Sequence, residues 1–199
     1  MWKTLKPLFF TLFVLGNLPA TVAQDLHLYD VTVAGFTIGE MEARKMDTED
    51  TTTFRLTSKA SFWLFGQINV DYLTEVVYVG DQLVSSSVTS STNRGDFSSR
   101  VWLEEGVYQV DANSYNYEHR GRILEDITYS AVRLFFEEPV ETDRMLAENY
   151  GVFGKVFQLK EGNYESLANG DKNRYEYQEG RLQRAVMQSP IKNYVIKRR

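Results

Sequence analysis

Apolar side chains in this chain recur at every second residue, between turn signals set a strand's length apart, and nothing else in it constrains the fold as tightly. Ile68, Val70 and Tyr72, with Val76 and Tyr78 further on, alternate with Asn69, Asp71 and Glu75. Phe54, Leu56, Ser58 and Ala60 alternate likewise with Thr53, Arg55, Thr57 and Lys59. A period of two turns one face of an extended strand toward a core and the other toward water. Between such runs stand Ala34-Gly35, Gly80-Asp81, Glu105-Gly106, Gly162-Asn163, Asn169-Gly170 and Glu179-Gly180. Their Gly and Asn residues accept the positive φ angles of tight hairpins. The pattern predicts strands over 26–33, 36–46, 52–61, 67–79, 82–92, 97–104, 107–113, 116–120, 154–160, 163–168, 173–178, 181–188 and 192–197. Short strands joined by hairpins favour antiparallel pairing. The expected class is all-β: one domain over residues 24–199, a single strongly curved antiparallel sheet or barrel-like fold with one short helix. A two-sheet β-sandwich is the alternative.

One segment departs from the period. Ser130 is a candidate helix N-cap, and residues 131–136 fit one or two helical turns that stop before Pro139. This helix is expected to plug one end of the sheet through Leu134 and Phe135. Residues 137–153 read as an acidic, irregular connection containing Tyr150-Gly151.

The first 23 residues read as an address. Lys3 and Lys6 precede an apolar run from Leu8 to Leu18, and Thr21-Val22-Ala23 offers small residues at a cleavage site. That is the layout of a secretory signal peptide, with an apolar run far short of the ~20 residues a spanning helix needs. A periplasmic or secreted protein with no membrane span is expected. The chain has no cysteine, which removes lipid attachment through an N-terminal Cys, thiolate-bound zinc and iron–sulfur clusters. Residues 24–180 hold 14 basic against 27 acidic residues, an acidic body that argues against nucleic acid. All six charged residues from Arg181 onward are basic, and they are expected to pair with acidic neighbours on adjacent strands.

Candidate sites are few. His27 and His119 lie far apart, so no metal site is expected, and both read as surface or strand-edge residues. No Gly-X-Ser-X-Gly elbow is present, and Glu104-Glu105 and Glu137-Glu138, adjacent in sequence, would face opposite sides of a strand. The chain is read as a non-enzyme with no cofactor. Phe62-Trp63-Leu64-Phe65 places four large apolar residues in a row, and they cannot all face one core. Burial of this run beneath the helix near 131–136 is the preferred reading, and an apolar tip at a barrel mouth the other. Residues 85–92, all serine or threonine except Val88, fit an edge strand guarded by polar side chains. They equally fit an inward face of small residues that leaves room for a ligand, with the edge slightly preferred.

The chain resembles a family of exported bacterial all-β proteins of unknown function. The residues that carry the likeness are Tyr29-Asp30-Val31 with Gly35 and Ile38-Gly39, the run 129–139, Glu148-Asn149-Tyr150-Gly151, and residues 169–177 with Gly180. The resemblance implies an all-β fold and an envelope or secreted location, and brings no catalytic residues. Two functions remain open. In one, a monomer holds an apolar or lipid-like small molecule near Phe62, Trp63, Phe65 and Phe135. In the other, a sheet edge or the aromatic tip docks another envelope protein. Export is checked by intact mass: the exported protein should lack residues 1–23, and their retention would contradict the leader.

Overall fold

The computed structural model describes residues 23–63, 66–93, 95–189 and 192–199. Residues 1–22 of the leader, and Leu64 and Phe65 of the aromatic run, lie outside the described residues. Within them the period-two pattern becomes fourteen antiparallel strands in one sheet. The first eight are β1 (Ala23–Val33), β2 (Phe36–Asp47), β3 (Thr51–Trp63), β4 (Gln67–Val79), β5 (Gln82–Thr92), β6 (Gly95–Glu104), β7 (Val107–Ser114) and β8 (Tyr117–Ile123). After a 3-10 helix (Ala131–Phe135) come β9 (Arg144–Ala147), β10 (Val152–Lys160), β11 (Asn163–Ala168), β12 (Asp171–Gln178), β13 (Arg181–Met187) and β14 (Tyr194–Arg198). The order across the sheet is β8-β7-β6-β5-β4-β3-β2-β1-β14-β13-β12-β11-β10-β9. β1 pairs with β14 from Tyr29↔Arg198 to Thr32↔Val195, so the chain's two halves join there.

The turns follow the residue chemistry. At Ala34-Gly35, Glu105-Gly106, Asn169-Gly170 and Glu179-Gly180 both residues have positive φ, the geometry of two-residue hairpins that matches the strands' twist. Bulges at Val31/Thr32, Val77/Tyr78 and Glu176/Tyr177 add local twist. A sheet of this many strands has to curl, and this one curls around a core made by its inner face. Its edge strands β8 and β9 do not pair with each other. Other groups span the gap. Leu146 N–H of β9 donates to the carbonyl of Tyr129, in the segment that follows β8 (2.9 Å). Opposite, the Tyr117 hydroxyl donates to the Tyr150 carbonyl (3.2 Å). The architecture is barrel-like and unclosed, not a sandwich.

The short helix plugs one end, as its apolar residues predict. Leu134 and Phe135 are buried in the core, and inward side chains of the sheet hold their backbone. The Tyr177 hydroxyl donates to the Leu134 carbonyl (2.7 Å). Tyr29 and His27 Nδ1 both donate to the Phe135 carbonyl, each at 3.0 Å. Tyr78 donates to Ser130 Oγ (2.9 Å). Edge-to-face pairs Tyr29–Phe135 and Phe54–Tyr78 fill the space around these bonds.

Four expectations need correction. The connection 137–153 is not wholly irregular, because Arg144–Ala147 forms edge strand β9. Its three buried residues in succession break the alternation that marks a strand, so the pattern missed it. Ser130 makes no side-chain cap, and the N–H of Val132 goes instead to the Glu148 carboxyl (2.7 Å). β5 lies between β4 and β6, so residues 85–92 do not form an edge. His27 is 7% exposed, drawn inward by the Phe135 carbonyl and the Phe136 ring. Of the six basic C-terminal residues, two pair with acidic neighbours on adjacent strands as expected: Arg199 meets Asp30 (2.6 Å) and, one strand further, Glu40 (3.1 Å), and Arg184 meets Glu176 (2.5 Å).

The plug's hydrogen bonds can be tested singly. Tyr177→Phe leaves the buried Leu134 carbonyl without its donor and should cost about 1–3 kcal/mol in urea unfolding. Tyr115→Phe, at an exposed ring, should cost under about 0.5 kcal/mol. Equal effects would mean that the tyrosine hydroxyls do not hold the plug.

Candidate functional site

With one end plugged, the inner face at the other end encloses a cavity of about 470 Å³. Such a volume lies within the ~300–1,000 Å³ range of small-molecule sites. The strands place its lining by alternation. From β3 come Leu56, Ser58, Ala60 and Phe62, and from β4 Ile68, Val70, Tyr72 and Thr74. β5 contributes Val88, Ser90 and Thr92, so the low-volume run leaves room inside the barrel because its inward residues are small. Val132 and Phe135 of the plug form the floor. A second depression, among Glu42, Arg44, Arg55, Lys59 and Asp71, is open charged surface.

The four candidate aromatic residues separate. Phe62 and Phe135 line the same cavity, Phe62 half-buried on β3 and Phe135 buried in the plug. Trp63, next to Phe62 on an extended strand, takes the opposite face and is 78% exposed. Its burial beneath the helix is therefore overturned: the helix lies at the far end of β3, beside Tyr29 and Tyr177, while Trp63 ends the strand at the open rim. Phe36, 76% exposed, begins β2 at that rim. Phe65 lies outside the described residues.

Sequence reasoning missed the polar wall. The turn between β9 and β10 carries Glu148, Asn149 and Tyr150 into the interior. Tyr72 donates to Asn149 Oδ1 (2.7 Å), and Ser99 Oγ to the Asn149 carbonyl (2.8 Å). The Tyr150 hydroxyl donates to the Asp171 carboxylate. Gly151 allows the turn to sit there, with φ +60° and a position where an added Cβ would stand 2.3 Å from Val110 Cγ1. Tyr175 and Tyr194 complete the wall. Burial pushes the phenols of Tyr72, Tyr150, Tyr175 and Tyr194 above their ordinary value, so all four remain protonated donors. Period-two extension from Ile68 and Val70 places Tyr72 inside. The turn residues 148–150 carry no such signal, because a turn has no period.

Among the described residues no group of three or more His, Asp or Glu side chains is arranged to hold a metal. The buried carboxyl of Glu148 has another role. Desolvation pushes its pKa up to about 7, against the pull of the backbone N–H groups of Val132, Glu148 and Ala131 and the Ser130 hydroxyl. A folded-state pKa above the unfolded one means that the protonated form stabilises the fold. That stability is complete below the ordinary carboxyl range and is lost as pH rises through about 7. Urea unfolding should therefore show a loss of about 3 kcal/mol between acidic and mildly alkaline pH. Glu148→Gln, which keeps an acceptor for Val132, should flatten this dependence, and an unchanged slope would contradict the assignment.

Comparison with known proteins bears on this architecture. No curated protein matches the chain. Among solved structures, a beta-barrel-like protein of the domain of unknown function DUF1849 from Brucella abortus superposes with a TM-score of 0.51. The alignment covers 90% of this chain and 97% of that one at 12% identity, a likeness of fold. A family model matches residues 29–199, from the inward Tyr29 of β1 to the C-terminal arginine that pairs with Asp30. The chain therefore belongs to the family described as a domain of unknown function, DUF6134.

Proposed function

We propose that this protein is an exported, non-catalytic binding module that takes an apolar or lipid-like small molecule into its cavity. One observation carries the reading: a curved sheet plugged at one end and lined at the other by apolar and small side chains around about 470 Å³. A core built only for stability packs to crystal-like density, and open volume of this size forgoes that packing. The β5 residues Ser90 and Thr92 are short where larger side chains would fill the space. The leader, with Lys3 and Lys6 ahead of an apolar run, supports the periplasm or the exterior as the working place.

Native mass spectrometry after purification without detergent tests the binding reading. The expected spectrum contains the chain with one adduct that is lost on denaturation. A bare chain alone, from cells that supply envelope lipids, would count against it.

A second reading rests on the rim. Trp63 and Phe36 are large, apolar and about three-quarters exposed at the open end, which suits docking to another envelope component. Trp63→Ala should cost under about 1 kcal/mol, as surface substitutions do. If docking is the function, partner capture falls while the cavity adduct remains. A loss of about 3–5 kcal/mol, the range for a large buried aromatic, would return Trp63 to the core and remove the docking reading.

A further inference from the structure

We propose that the polar wall of the cavity is a subsite for the cationic headgroup of an amphiphile, an ammonium group held among tyrosine rings and carboxyl oxygens while the chain lies along the apolar wall. This rests on the binding reading above and names the ligand's chemistry.

The lining is divided. Val31, Leu56, Phe62, Ile68 and Val70 contribute only hydrocarbon. The same inner face continues from Val70 to Tyr72 on β4 and from Val31 to Tyr194 across the β1–β14 pairing, where Asn149, Tyr150, Asp171 and Tyr175 also line the cavity. Tyr72, Tyr150, Asp171, Tyr175 and Tyr194 all line the one cavity. Tyr72 and Tyr150 already donate, to Asn149 and Asp171. Tyrosines that line a cavity bring π-systems and hydroxyl oxygens to it, the groups that attract ammonium ions.

Charge decides between headgroups. The described lining residues include two carboxyl groups, Glu148 and Asp171, and a single cation, Lys192. Lys192 is exposed at the rim, where its flexible side chain can turn into water. A carboxylate or phosphate headgroup would enter beside the Asp171 carboxylate, with no buried cation among the described lining residues to offset its desolvation. A hydroxyl headgroup would find donors and acceptors but gain nothing from the carboxylate or the π-faces. An ammonium gains from both, and Asp171, part-buried, is screened less than a surface charge.

Isothermal titration with decylamine, decanol and decanoate holds the chain constant and changes the headgroup. Decylamine should bind about tenfold or more tightly than decanol, with decanoate weakest. Asp171→Asn should remove most of decylamine's advantage over decanol, leaving the part that the π-faces supply, and should leave decanol unchanged, while Tyr194→Phe, which keeps the ring, should keep most of the preference. Ser90→Trp, which fills the cavity from β5, should abolish binding of both. Equal binding of decanol, or tighter binding of decanoate, overturns the headgroup assignment and leaves the apolar cavity reading intact. Decylamine binding that survives Ser90→Trp reports adsorption to an acidic surface and overturns the subsite. If none of the three binds the wild-type protein, the binding reading falls with it.

Discussion

The buried hydrogen bonds between the sheet's inward side chains and the plug decide the shape of this protein. Carbonyl groups of a short helix placed in an apolar interior cost free energy unless donors reach them. Tyr177 supplies the donor for Leu134, and Tyr29 with His27 supplies those for Phe135. The same tyrosines are core residues of β1 and β12, so each both packs and satisfies. Glu148 does the matching work at the helix start, where its carboxyl accepts from Val132. A sheet whose edge strands do not pair has no ladder to close it. Here the closure is local, through the plug at one end and the turn at 148–151 on the other side.

Closing one end by a plug leaves the other end free to stay open. The hydroxyls that hold the plug are used up at the floor, and the polar groups above them, around Tyr194 and Asp171, face the cavity. Two populations of inward tyrosine follow from this geometry. Tyr29, Tyr78 and Tyr177 are fully engaged by the plug, whereas Tyr175 and Tyr194 belong to the wall. The first group serves the fold, and the second serves the proposed ligand.

Much of the fold was legible because it rests on local rules. Alternation located thirteen strands, and glycine-containing pairs located six of the hairpins between them. The plug was legible through Leu134 and Phe135, apolar residues in a segment without strand period. What failed required tertiary knowledge. β9 is covered on both faces, so Met145, Leu146 and Ala147 are buried in a row and carry no alternation. The choice between edge and interior for residues 85–92 depends on what pairs with β5, which composition does not record. At the site, the aromatic run pointed to the correct region but not to the correct members. Of the described candidates, Phe62 and Phe135 line the cavity and Trp63 does not, because Trp63 faces the opposite way from its strand neighbour Phe62. The polar wall is assembled from β4, the β9–β10 turn, β12 and β14, segments up to 122 positions apart in the chain from Tyr72 to Tyr194.

The central claim is that the interior above the plug is a ligand chamber and not a packing defect. Methyl-labelled protein with bound decylamine tests it most directly by nuclear magnetic resonance. The account predicts Overhauser contacts from the alkyl chain to Val31, Leu56, Ile68 and Val88, which line the cavity, and none to Val79, on the outer surface. Contacts confined to outward methyl groups, with the cavity methyls unperturbed, would contradict it.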